Sequence, residues 1–161
     1  MPETEQTLLG TGFFWQDLPI GAKFRTLGRT IRDADISAFT GIVGMVEPLF
    51  TDDVYRAEHA LIKGRLAPGA LVYGVAEGLV LSATANGTGM AFLQTTINIL
   101  GPTFAGDTVH VQFEVIECRA AQKGGRGLVR TRNLVVNQRS ETVMEYDPLR
   151  LMAGRENIDV V

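Results

Sequence analysis

One segment constrains the fold more than any other. Pro68 opens it, and Ala70, Leu71, Val72, Val75, Ala76, Leu79, Val80 and Ala83 follow at spacings that cover most of a helical circumference. A helix apolar on nearly every side is expected to be buried on nearly every side. Pro68 fits the first turn, where its missing N–H costs nothing, and Asn86-Gly87-Thr88-Gly89 ends the run. The stretch from Ala67 to Ala85 is interrupted by Pro68, Gly69, Gly74, Glu77 and Gly78. It therefore falls short of the roughly 18 uninterrupted apolar residues of a membrane span. The rest of the chain must supply the cover.

That cover is read as strands. Four segments with strand character follow the helix, at 91–100, 108–117, 127–136 and 141–152. Val109, Val111, Phe113 and Val115 share one face of the second, opposed by His110, Gln112 and Glu114. Pro148 predicts an edge or a break in the last. Before the helix come an imperfect strand over 24–31, a short helix from Asp33 through Phe39, closed by Gly41 and Gly44, and a second from Thr51 to about Leu61. Asp52 and Asp53 suit that helix's first turn, and His59 near its end and His110 on a polar strand face read as solvated. This order is α+β, an antiparallel sheet wrapped around one long central helix. Residues 13–152 are read as the domain, with 1–12 and 153–161 as tails. Such a sheet leaves a long edge, and pairing with another copy is the economical cover, so a homodimer or a higher even oligomer is expected.

Composition narrows the function. With 161 residues the chain makes one domain with a respectable core. A formal net charge of -3 offers no basic excess for nucleic acid. Cys118, the one cysteine, excludes an internal disulfide framework, and two histidines leave little for a zinc site. No metal or cofactor is expected. Glu3 and Glu5 stand where a secretory leader would carry Lys or Arg, so a cytoplasmic location is expected.

Four stretches, in order, carry a resemblance. They are Phe39-Thr40-Gly41 through Asp52, Gly64 to Leu71, Pro102-Thr103-Phe104-Ala105-Gly106-Asp107-Thr108-Val109, and Asn133 to Met144. Together they resemble the MaoC-like (R)-specific enoyl-CoA hydratases and dehydratases, small hotdog-fold enzymes. In that family the first stretch has Gly-Asp-x-Asn-Pro-aliphatic-His. Here Met45 stands at the aspartate, Glu47 at the asparagine and Phe50 at the histidine. In the closing hairpin, Ser140 stands where glycine is common.

The resemblance implies acyl (enoyl or 3-hydroxyacyl) thioesters of coenzyme A or an acyl carrier as ligands. It also implies that the Gly69 and Ala70 N–H groups face the thioester oxygen, where helix N-terminal donors favour developing negative charge. It places proton transfer on the aspartate and histidine. A thioether and a phenyl ring exchange no proton at neutral pH, so hydratase activity is expected to be lost or weak. Such a chain would serve as a non-catalytic subunit, as a homo-oligomer or with an intact MaoC-like sister. A second reading relocates the chemistry to Glu47, two residues beyond Met45, or to Glu77, which shares a helix side with Tyr73. Glu77 lies eight residues after Gly69, whereas acyl-carrier dehydratases carry their glutamate five residues after it, the place of Gly74. A third reading keeps only a scaffold for assembly or ligand sensing. Arg130 and Arg132, in a basic stretch with Arg126 and Arg139, are the candidates for coenzyme A phosphates.

Overall fold

A computed structural model describes residues 9–156. The terminal residues 1–8 and 157–161, including Glu3 and Glu5, lie outside the described residues. The central helix, α4, spans Gly69–Thr84, with Pro68 as its N-cap rather than inside its first turn. Leu71, Val72, Val75, Ala76 and Val80 bury one broad side against Ile31, Ile36, Val109, Val111, Phe113, Val135 and Tyr146. The expectation of burial all round fails along one stripe. Ala70, Gly74, Gly78, Leu81 and Ser82 are exposed, because a sheet from one chain curls around only part of the helix.

Three α-helices precede it among the described residues. In α1 (Asp33–Val43), the N-terminus is closed by the Arg32 N–H donating to Asp35 Oδ2 at 2.8 Å. The helix runs past Phe39 and through Gly41, since Gly44, at φ +65°, is the glycine that takes the left-handed C-cap. The helix expected from Thr51 to about Leu61 is α3 (Asp53–His59), and a further short helix, α2 (Pro48–Thr51), precedes it in the stretch expected as loop. Asp52 divides them: extended and non-helical, it accepts the Tyr55 N–H at 2.9 Å and so starts the second.

Every strand pair is antiparallel. β1 (Lys23–Arg25) and β2 (Arg29–Thr30), two pieces of the expected first strand, pair with β5 (Thr108–Ala120). β5 pairs with β6 (Gly127–Asn137), and β6 divides its other side between β7 (Thr142–Tyr146) and β8 (Leu149–Met152). Pro148 makes that division, as a residue with no N–H must within a ladder. β3 (Gly89–Gln94) pairs with β8, and β4 (Ile97–Ile99) with β7. β3 and β4 thus form a bent outer strand whose far side pairs with nothing among the described residues. A sheet curled around one long helix is the hotdog fold.

The ends of the described region pack down. Gly12 N–H donates to Asn86 O at 2.7 Å, Phe13 N–H to Thr84 O at 2.8 Å, and Ala153 N–H to Thr88 O at 2.8 Å. Trp15 donates its indole N–H to Gly125 O at 2.9 Å and joins a second core of Leu18, Ala85, Val115, Val129 and Met152. No helix among the described residues is long and apolar enough to cross a membrane.

Candidate functional site

The start of α4 leaves two donors unused. Its first carbonyl acceptor, Pro68 O, takes the N–H groups of Leu71 and Val72 at 3.0 and 3.1 Å. The Gly69 and Ala70 N–H groups precede these and find no acceptor among the described residues. Beside them lies a cavity of about 370 Å³, walled by Phe50, Ile62, Leu66, Val72, Ile99 and Met144. Thr103, almost fully buried, brings the one polar side chain to this lining, and no carboxylate, imidazole or amine reaches it. The slot fits tightly at the donors. A Cβ at residue 69 would stand 3.1 Å from Ile99 Cδ1, so a side chain there would have to shift the end of Ile99 by a few tenths of an ångström.

Phe50 lies on α2 and half-buried, with one edge of its surroundings in the slot. Met45 lies behind it, half-buried, in an outer cavity of about 620 Å³ that also borders Asp33, Ser37, Thr40 and Arg65. Arg65 fixes this region. Its guanidinium donates to Asp33 Oδ1, to the Phe50 carbonyl and, at 3.0 Å, to Ser37 Oγ, which ties α2 to α1. Arg56 pairs with Asp53 and donates to Leu49 O at 3.4 Å. The structure therefore brings Met45, Phe50 and Gly69 together around two adjoining cavities.

The carboxylates are elsewhere. Glu47 is exposed at the N-cap of α2 and lines neither cavity; its carbonyl accepts from Phe50 N–H at 2.9 Å and Thr51 Oγ1 at 3.1 Å. Glu77 is buried two turns along α4, in a separate cleft with Tyr73, Leu81, Met90, Phe92 and Arg150. Both its oxygens accept from Arg150 Nη2, at 2.6 and 2.8 Å. Tyr73 and Tyr146 meet edge to face nearby, with ring centroids 5.2 Å apart. Burial, then the Glu77 charge, pushes the Tyr73 hydroxyl up to about 12, and the same two causes raise Tyr146 further. Both therefore remain protonated at neutral pH.

Arg130 and Arg132 point to the sheet face away from α4, alternating with inward Thr131 and Asn133. Arg130 pairs with Glu117 at 3.5 Å and Asp147 at 3.3 Å, and Arg132 with Glu145 at 2.6 Å. They do not join the slot. Asp52 and Asp53 serve the start of α3, as their helix position implies. His59 is exposed beside Tyr55. Burial, aided by Arg25, lowers the His110 pKa.

Two residues escaped the sequence reading. Arg65 organises the helices over the slot, and nothing in its local pattern marks it. Arg150 was legible in principle: it alternates with Leu149 and Leu151 on the face shared with Met152, and an inward cation needs an anion opposite.

Comparison with known proteins follows the geometry. The family model described as a MaoC like domain matches residues 16–137. A solved structure named a monoamine oxidase regulatory protein, from Archaeoglobus, is 28% identical with a TM-score of 0.78, covering 89% of this chain and 96% of that one. The MaoC-like dehydratase from Rhodospirillum rubrum is 25% identical with a TM-score of 0.76, covering 89% and 99%. The R-hydratase PhaJ1 from Pseudomonas aeruginosa is 24% identical with a TM-score of 0.72, covering 89% and 88%, a likeness that carries the fold alone. Among curated proteins nothing matches.

Proposed function

Since the chain belongs to the MaoC-like domain family, a family of hydratases and dehydratases, we propose that it binds acyl thioesters in the slot beneath Gly69 and hydrates them weakly or not at all. One observation carries the reading: the slot is open and apolar, with hydrogen-bond donors at its mouth and no acid or base in its wall. The Gly69 and Ala70 N–H groups are placed to receive a thioester carbonyl, and the acyl chain lies against Phe50, Val72 and Ile99. The name of the Rhodospirillum neighbour, a MaoC-like dehydratase, supports enoyl and 3-hydroxyacyl thioesters as the ligand class.

Hydration would need more. Water must lose a proton as it attacks the β-carbon, and the α-carbon must gain one. A positioned acid or base contributes roughly 10²–10⁴ in rate. With Met45 and Phe50 at the family's dyad positions, neither is supplied to the slot, while donor stabilisation of the enolate oxygen remains, an effect of about 10²–10³. The protein thus holds the thioester without the proton relay.

The working form is a dimer or an even multiple. The outer strand exposes Met90, Phe92, Leu93, Ile97 and Ile99 along an unpaired edge. Leu81, from the bare stripe of α4, lines the same cleft as Met90 and Phe92, so edge and stripe form one surface. A long apolar edge of this kind is covered in a stable protein. A second copy, or an intact MaoC-like sister chain, covers it without new structure.

Binding is tested by calorimetric titration with butanoyl-CoA. Saturable binding that Gly69→Val abolishes supports the slot as the site; no binding, or binding indifferent to Gly69→Val, contradicts it.

A further inference from the structure

Two cavities meet at one side chain. The apolar slot of about 370 Å³ and the outer cavity of about 620 Å³ have Phe50 as their one common wall among the described residues. The geometry points to Phe50 as the residue that sets the longest acyl chain the slot accepts, an inference that rests on the thioester reading above. A chain entering from the Gly69 donors runs along Val72 and Ile99 toward the Phe50 ring and stops against it.

Phe50 lines both cavities, and its ring can be removed. Its backbone is fixed independently of the ring, through Phe50 N–H on Glu47 O at 2.9 Å and the Phe50 carbonyl on Arg65. The ring itself is only half-buried, so its loss leaves α2 anchored. Beyond it lie Met45 and Val46, which offer apolar surface to a longer chain. The charged groups of the outer cavity are already paired, Arg65 with Asp33 and Arg56 with Asp53, so they require no ionic ligand. The position at which the family places a proton-transfer histidine therefore becomes a length stop, and the ligand class narrows to thioesters of short or medium, unbranched acyl chains.

Affinity across straight-chain acyl-CoAs from butanoyl to tetradecanoyl tests this, measured by calorimetry on the wild type, Phe50→Ala and Phe50→Trp. Burying each added methylene tightens binding about fourfold. The wild type is expected to show that rise up to a break and none beyond it. Phe50→Ala is expected to move the break to longer chains, and Phe50→Trp to shorter ones. Phe50→Leu, a milder truncation, shifts it less than alanine and replaces the alanine variant should that fail to unfold cooperatively. A break at the same length in wild type and variants, or no break in the wild type, overturns the role of Phe50 while leaving thioester binding intact. Failure of the wild type to bind any member of the series overturns the thioester reading itself and this inference with it.

Discussion

Arg150 holds both carboxylate oxygens of Glu77 through a single nitrogen, joining the middle of α4 to β8 across the core. Each residue is less than one-tenth exposed. The pair explains how an almost wholly apolar helix tolerates a carboxylate, and it engages both Glu77 oxygens. A buried ion pair is weak evidence for stability, but breaking it on one side leaves an uncompensated charge, at a cost of about 3–5 kcal/mol. Glu77→Leu and Arg150→Met are each expected to destabilise the fold by that order. The double variant is expected to recover most of the loss. Urea unfolding of the three proteins measures both the losses and the coupling.

Asp107 gives the fold an acid limit. Its carboxylate accepts from Phe104 N–H at 2.9 Å, Gln138 Nε2 at 2.7 Å and Arg139 Nη1 at 3.0 Å, joining the Gly106-Asp107 turn to the closing hairpin. Burial works to raise its pKa, but the hydrogen bonds and the Arg139 charge together hold it below the usual carboxylate range. A carboxyl lowered on folding stabilises fully above its unfolded pKa, about 3.9, and loses that stabilisation as pH falls through the folded value. Asp107→Asn is therefore expected to flatten the loss of stability below about pH 4. Unfolding midpoints recorded down the acid range, wild type against variant, check the slope.

The closing hairpin carries a correctable strain. Ser140, at φ +63°, is the one non-glycine residue in the left-handed region among those described. That conformation costs an L-residue about 1–2 kcal/mol, partly offset by the greater chain entropy of glycine, about 0.5–1 kcal/mol. Ser140→Gly is expected to stabilise by about 0.5 kcal/mol. A rise in Tm with unchanged thioester binding is the measurement.

Trp15 sets the opposite constraint at β6. A Cβ on Gly127 would lie 2.2 Å from Trp15 Cγ and 2.4 Å from Cδ2, far inside contact distance. Gly127→Ala must push the indole off its seat, at a cost of about 3 kcal/mol by overpacking. Trp15 is the only tryptophan, so its emission reports the displacement directly, alongside the fall in Tm.

The central helix, the run of antiparallel strands and the break at Pro148 were legible because each follows from a local pattern of period, turn residues or a missing N–H. The Gly69 and Ala70 donors came into view through the family resemblance, and Pro68 stands at the N-cap rather than in the first turn. The short helix α2 was missed because four residues are too few to show a period, and Pro48 at its first position reads equally well as a loop residue. The bare stripe of α4 was missed because Gly74, Gly78 and Ser82 read as permissive rather than exposed. The partnership of Glu77 with Arg150 joins residues 73 positions apart, beyond the reach of any periodicity. Arg130 and Arg132, the candidates for coenzyme A phosphates, stand on the sheet face away from α4, paired with Glu117, Asp147 and Glu145.

The most direct measurement joins binding to turnover on one ligand. Crotonyl-CoA is titrated by calorimetry, and at saturating concentration the loss of enoyl absorbance is followed. Saturable binding with turnover well below about 1 s⁻¹, the lower end for ordinary enzymes, is the predicted result. Turnover above that value would contradict it, and Glu47→Gln and Glu77→Gln would then show which carboxylate supplies the proton.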